Sequence, residues 1–194
     1  MAKRPRLLLA STSPYRRALL ARLGLDFDGV APDVDETPQA GEPPAARAAR
    51  LARAKALAVS AQQAEALVLG SDQVCALGAE VLRKPGELQA AQLTRLAGRE
   101  VDFHTAVALA RGGQVLGEAL VPTRVRFRAL SASQIARYVE AEPAGDCAGG
   151  FKVEGLGISL FEAVQSQDPT ALEGLPLIAT CTLLREAGAW PGLD

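Results

Sequence analysis

Histidine is nearly absent from this chain, aromatic residues are sparse, and neither sign of charge prevails. A single histidine, His104, stands among 194 residues. A Ser-His-Asp or Cys-His centre would have to use it, yet it falls inside an apolar strand pattern and reads as a structural side chain. Three cysteines, Cys75, Cys147 and Cys181, are widely spaced and odd in number. They match neither a zinc pattern nor a disulfide framework, which points to a reducing cytoplasm, with all three expected as buried small apolar side chains. Aromatics make up only 4% of the chain, so its core has to be aliphatic. With a net charge of −1 and Lys and Arg scattered along the chain, there is no concentrated basic face for nucleic acid or a membrane surface. No apolar run approaches transmembrane length. Lys3, Arg4 and Arg6 precede leucines, but the run ends at Ala10, too short for the apolar region of a signal peptide. Neither a G-x-x-x-x-G-K-[ST] loop nor a G-x-G-x-x-G is present, so P-loop and Rossmann sites are excluded.

What is there is an ordinary globular composition, 48% apolar and 22% charged, in a length that fits one domain spanning 1–194. No repeat or composition break interrupts it. Residues 7–9 (Leu-Leu-Leu) predict a short buried strand. Ser13 then offers an N-cap oxygen and Pro14 occupies the first helical position. The first turn carries Arg16 and Arg17 where the helix dipole favours acids. Either both guanidiniums point into water or an anion shares the spot, and the economical reading is a phosphate site at a strand-to-helix junction.

Further along, 27–31 is a strand candidate, 32–44 a loop rich in proline and acid, and 44–60 an alanine-rich helix. Arg47, Leu51 and Lys55 share one side of that helix. A buried strand over 66–77 carries Asp72 in its middle, an expensive place for a carboxylate without a partner. Asp72 is either a capping group at a strand end or a functional acid, and function is favoured. Arg83, Lys84 and Pro85 form a basic turn before a helix over 87–97. Strands over 101–110 and 114–121 meet at Gly112-Gly113, a hairpin signal. Residues 123–130 alternate as a half-exposed strand, Ser131 and Gln134 form a capping box, 158–161 reads as a short strand, and a helix closes the chain over 177–187. This order predicts an α/β fold, a mixed twisted sheet flanked by helices. Glu36, Lys55, Asp72 and Lys84 together with the Arg16 helix start make a plausible set for a nucleoside polyphosphate and its divalent ion.

ASTSPYRRALL, DVDETP, the Lys55 helix, GSDQV, RKP and FKVEGLGISLFE resemble the Maf family of nucleotide pyrophosphatases, over essentially the whole chain. The resemblance implies a cytoplasmic hydrolase of phosphorus anhydrides, with the Maf/Ham1 (inosine triphosphatase)-like fold. Such an enzyme cleaves a nucleoside triphosphate to the monophosphate and pyrophosphate; a homodimer is expected by family analogy. It further implies that Ser11 and Arg16 hold phosphates, and that Lys55 and Lys84 neutralise the polyphosphate. Glu36 and Asp72 would serve Mg²⁺ or Mn²⁺ and water, with Asp72 as proton acceptor.

Three positions resemble the branch of that family preferring 7-methyl-GTP over the branch acting on dTTP and UTP: Tyr15 after the SxSP, Gln73 after the acid, and Glu154 in FKVEG. N7-methylguanine is cationic, so a Tyr15 ring adds a cation–π attraction to stacking. A carboxylate at Glu154 accepts from the guanine N1–H and amine. The plainer alternatives are that Tyr15 packs on its own helix and that Glu154 pairs with Lys152. A regulator of cell division that binds nucleotide without turnover, and an enzyme clearing other modified nucleotides, are the competing functions.

Overall fold

Leu7, Leu8 and Leu9 are almost fully buried and form, with Ala10, the strand β1 (Leu7–Ala10). In the computed structural model, which describes residues 5–190, β1 is parallel to two neighbours. Lys3 and Arg4 of the basic start lie outside the described residues. On one side stands β2 (Phe27–Val30), on the other β3 (Leu67–Leu77), with Ala10 opposite Gly70 as the last pair. Beyond β3 come β5 (Glu100–Arg111), β6 (Gln114–Phe127) and β7 (Phe161–Ser166), all antiparallel, while the short β4 (Glu80–Leu82) pairs with the far end of β3. The expected mixed sheet flanked by helices is therefore what forms.

Alanine composition explains how one face is covered. Ala48, Ala52 and Ala56 of helix α2 (Pro44–Gln62) meet Val74, Ala106, Ala108 and Ala110, so helix and sheet approach closely. On the opposite face α1 (Pro14–Ala21) and α5 (Leu177–Glu186) bring Leu19, Leu20, Leu183 and Leu184 onto Leu7, Leu9, Leu69 and Val107. The few aromatics are concentrated instead of scattered. Phe103, Phe127, Phe151 and Phe161 meet edge to face, with centroids 4.8–5.7 Å apart, beneath α3 (Gln89–Leu96) and α4 (Ala132–Ala141).

Several expectations change. Residues 114–121 and 123–130 are not two strands: β6 runs unbroken through Pro122 and stops at Phe127. Pro122 costs no ladder bond, because β7 begins its pairing with β6 only at Thr123, and a strand edge tolerates proline. Of the strand expected over 158–161, residues 158–160 lie instead in a 3₁₀ turn (Leu156–Leu160), and only Phe161 is extended, as the first residue of β7. Glu142 imposes that turn, since its carboxylate accepts from the backbone N–H of Leu156 and of Gly157, both at 3.1 Å. Of the cysteines only Cys75 is buried; Cys147 and Cys181 are half-buried, so two of the three do not behave as core residues.

Candidate active site

β3 outruns β1. After the last pair, Ala10 with Gly70, the chain of β1 turns away into residues 11–13 and α1, while β3 continues with Ser71, Asp72 and Gln73. Those residues keep β5 on one edge, where Asp72 faces Ala106, but the other edge opens until β4 pairs at Cys75. Open parallel sheets bind ligands beyond the carboxyl ends of their strands, where a neighbouring strand is missing. Here that gap is a cleft of about 620 Å³, lined by Ser11, Arg16, Glu36, Lys55, Asp72 and Lys84 among others. All six residues expected to handle phosphates, metal and water thus share one cavity. Arg16 and Asp72, far apart in sequence, lie in the same cleft.

Asp72 is 7% exposed and resolves its cost of burial through Lys55, whose Nζ donates to Asp72 Oδ1 at 2.6 Å. Lys55, itself 6% exposed, also reaches Glu36 Oε1 at 2.8 Å. One buried ammonium therefore joins two carboxylates, and a pair of this kind stabilises only when its geometry and remaining hydrogen bonds are good. Burial raises the Glu36 carboxyl, but the bond and charge of Lys55, with Arg16 and Lys84, outweigh it and hold Glu36 below the usual carboxylate range. Burial lowers the Arg16 guanidinium from its ordinary value, and Asp72 and Glu36 partly oppose that.

The helix start narrows one expectation. Ser13 caps α1, its Oγ accepting from Arg16 N at 3.4 Å, and Ser11 Oγ accepts from Ser13 N at 3.1 Å. Two amides of the junction are thereby occupied and are not free to meet an anion. The two arginines also part company. Arg16 turns inward, Nε donating to the Gly174 carbonyl at 3.0 Å, whereas Arg17 crosses Gly29 and lies over the Phe27 ring. The cleft holds five cations, Arg16, Arg47, Lys55, Arg83 and Lys84, against three carboxylates, Glu36, Asp72 and Asp146.

Opening from the cleft is a smaller annex of about 100 Å³ lined by Tyr15, Gln73, Glu154 and Glu173. All three expected specificity residues are in it. Tyr15 does not merely pack on its helix: its hydroxyl donates to Asp146 Oδ2 at 3.2 Å. Lys152 faces the Tyr15 ring, Nζ 6.0 Å from the centroid, instead of serving Glu154. Gln73 uses its amide nitrogen as a clamp, donating to the Ala171 and Leu172 carbonyls and to Thr105 Oγ1.

Arg47 and Arg50 were missed as site residues. Arg47 Nη2 donates to the Glu36 carbonyl at 3.2 Å, and Arg50 grips Glu42 and the Thr37 carbonyl. Together they tie the acidic loop to α2 and set Glu36 over Lys55. The spacing of Arg47, Leu51 and Lys55 was the available signal. Gln89 had none: it bonds Ala144 N and the Glu142 and Gly150 carbonyls, anchoring the glycine-rich segment from another helix. No helix among the described residues is long and apolar enough to cross a membrane.

The chain is similar to a protein of Xanthomonas oryzae pv. oryzae named 7-methyl-GTP pyrophosphatase, 60% identical over 186 residues, which cover 95% of this chain and 97% of that one. It is also similar to one of the same name from Cupriavidus metallidurans, 53% identical over 190 residues, 95% of this chain and 94% of that one. Among solved structures, a HAM1 protein from Coxiella burnetii aligns with a TM-score of 0.45 and 17% identity, covering 65% of this chain and 74% of that chain. The family model described as Maf-like protein matches residues 6–187. With that match running from β1 through α5 and enclosing every residue of the cleft, the chain belongs to the Maf family.

Proposed function

We propose that the protein is a nucleoside triphosphate pyrophosphatase that hydrolyses 7-methyl-GTP to 7-methyl-GMP and pyrophosphate, in the cytoplasm. The relatives named above carry that activity in their names, and the observation that carries the mechanism is Asp72, a buried acid on the floor of a cation-lined cleft, oriented by Lys55. Arg16 and Lys84 line the cleft and would bind the polyphosphate, their charge being worth most where water is thin. Lys55 fixes the direction of the Asp72 carboxylate, so that Oδ2 is left to accept a proton from an incoming water. General-base assistance needs such placement first and a matched pKa second. The annex would take the base, with Glu154 accepting from the guanine edge.

The donor set fits a divalent ion of the magnesium type. Glu36 and Asp72 each give one oxygen to Lys55 Nζ, which leaves each a second oxygen for a cation, and Mg²⁺ is commonly held by one or two carboxylates plus waters and substrate phosphates. Glu36 and Asp72 would hold Mg²⁺ or Mn²⁺, which neutralises phosphate charge and makes a bound water more acidic.

The test is pyrophosphate release from 7-methyl-GTP, GTP, dTTP and UTP at equal concentration. The methylated nucleotide is expected to turn over fastest, and a preference for dTTP or UTP would refute the base assignment. Tyr15→Ala should raise KM for 7-methyl-GTP by roughly 2- to 30-fold more than for GTP, the range of a cation–π attraction. Equal effects on both would dismiss stacking on a cationic base.

A further inference from the structure

One carboxylate beside the base-binding annex has no part in the chemistry above. Asp146 borders both the cleft and the annex. Its Oδ2 accepts the Tyr15 hydroxyl at 3.2 Å and its Oδ1 the Cys147 thiol at 3.6 Å. No ion pair among the described residues includes it. Glu173, another acid of the annex, is by contrast clasped through both oxygens by Arg22. Asp146 thus stands at the hydroxyl edge of an aromatic ring with no ion-pair partner in direct contact among the described residues. The cation nearest that ring is Lys152, with Nζ 6.0 Å from the Tyr15 centroid. Only its side chain is free to move away. The Lys152 backbone is pinned, its N–H donating to the Tyr138 hydroxyl at 3.2 Å and its carbonyl accepting from Gly155 N at 3.2 Å.

We propose that Tyr15 and Asp146 form a seat for a cationic ring, occupied by the Lys152 ammonium until a positively charged base displaces it. The charges at positions 146 and 152, and not only the Tyr15 ring, then set the preference for methylated over unmodified guanine. This rests on the nucleotide reading above. Neutral guanine gains stacking alone. A cationic base also gains attraction to the ring face and to the carboxylate at the ring's hydroxyl edge, and it meets repulsion from Lys152.

The experiment compares kcat/KM for 7-methyl-GTP and GTP in the wild type, Asp146→Asn and Lys152→Gln. Both substitutions remove one charge with little change of shape, yet they should move the ratio in opposite directions. The ratio should fall about two- to fivefold in Asp146→Asn and rise by a similar factor in Lys152→Gln, the scale of a partly exposed cation–π site. A purely structural role would alter both nucleotides alike and leave the ratio where it was. An unchanged ratio, or a shift of the same sign in both variants, overturns the proposal. If Asp146→Asn fails to fold, Lys152→Gln decides alone, and a constant or lower ratio in it is contradictory. The same ratio taken from Kd values by calorimetry needs no turnover. A wild type that binds but does not hydrolyse therefore sinks the pyrophosphatase assignment while the charge effect is still measured.

Discussion

Asp72→Asn should lower kcat by about 10²- to 10⁴-fold, the usual contribution of a positioned general base, while the protein stays folded. The second half of that expectation comes from the surroundings of Lys55. Its ammonium keeps Glu36 at 2.8 Å when the Asp72 charge is removed, and the Asn carbonyl can still accept from it. The loss of stability should therefore be about 1–3 kcal/mol, the scale of one charge-assisted bond, and not the larger cost of stranding a buried ion without any partner. Circular dichroism and a melting curve separate the two effects from turnover. Wild-type turnover in the variant would remove Asp72 as proton acceptor.

Gly70→Ala should be among the more damaging conservative changes at the described residues. A Cβ there would stand 2.3 Å from the Ala52 carbonyl oxygen and 2.5 Å from Ala56 N. Both are backbone atoms of α2, so no flexible side chain can give way and the helix itself has to lift. Overpacking of this kind costs about 3 kcal/mol, which for a chain of this size lowers Tm by roughly 6–12 °C. Activity should fall with it, because Lys55 is the residue preceding Ala56, and lifting α2 draws its ammonium from Asp72, now 2.6 Å away. An unchanged melting temperature would show that α2 is not seated as closely as the structure places it. The alanines of α2 and Gly70 thus form one device: small residues on both sides let a helix-borne lysine reach a strand-borne acid.

Where neighbouring residues decide the geometry, the chain was readable from its letters. The cap at Ser13, Pro14 in the first turn, the capping box of Ser131 and Gln134, and the hairpin at Gly112-Gly113 all depend on atoms within a few residues. Asp72 was conspicuous for a comparable reason, as a charge in an apolar strand, and the cause is topological: β1 ends opposite Gly70 and leaves that edge open. What could not be read depends on distant partners. Glu142 shapes residues 156–160 from 14 and 15 residues away. Asp168, 2% exposed, accepts from the backbone N–H groups of Ile178 and Ala179 at the start of α5 and from Thr170. No local pattern announces either acid. The separate fates of Arg16 and Arg17 are of the same type, since adjacent residues on a helix diverge in direction and only the neighbours, Gly174 and Phe27, tell which enters the cleft.

The most direct check on the whole account is a product analysis. Purified protein with 7-methyl-GTP and Mg²⁺ or Mn²⁺, resolved by anion exchange, should yield 7-methyl-GMP and pyrophosphate in equal amounts. Orthophosphate with 7-methyl-GDP, or an intact nucleotide after prolonged incubation with either metal, would contradict it.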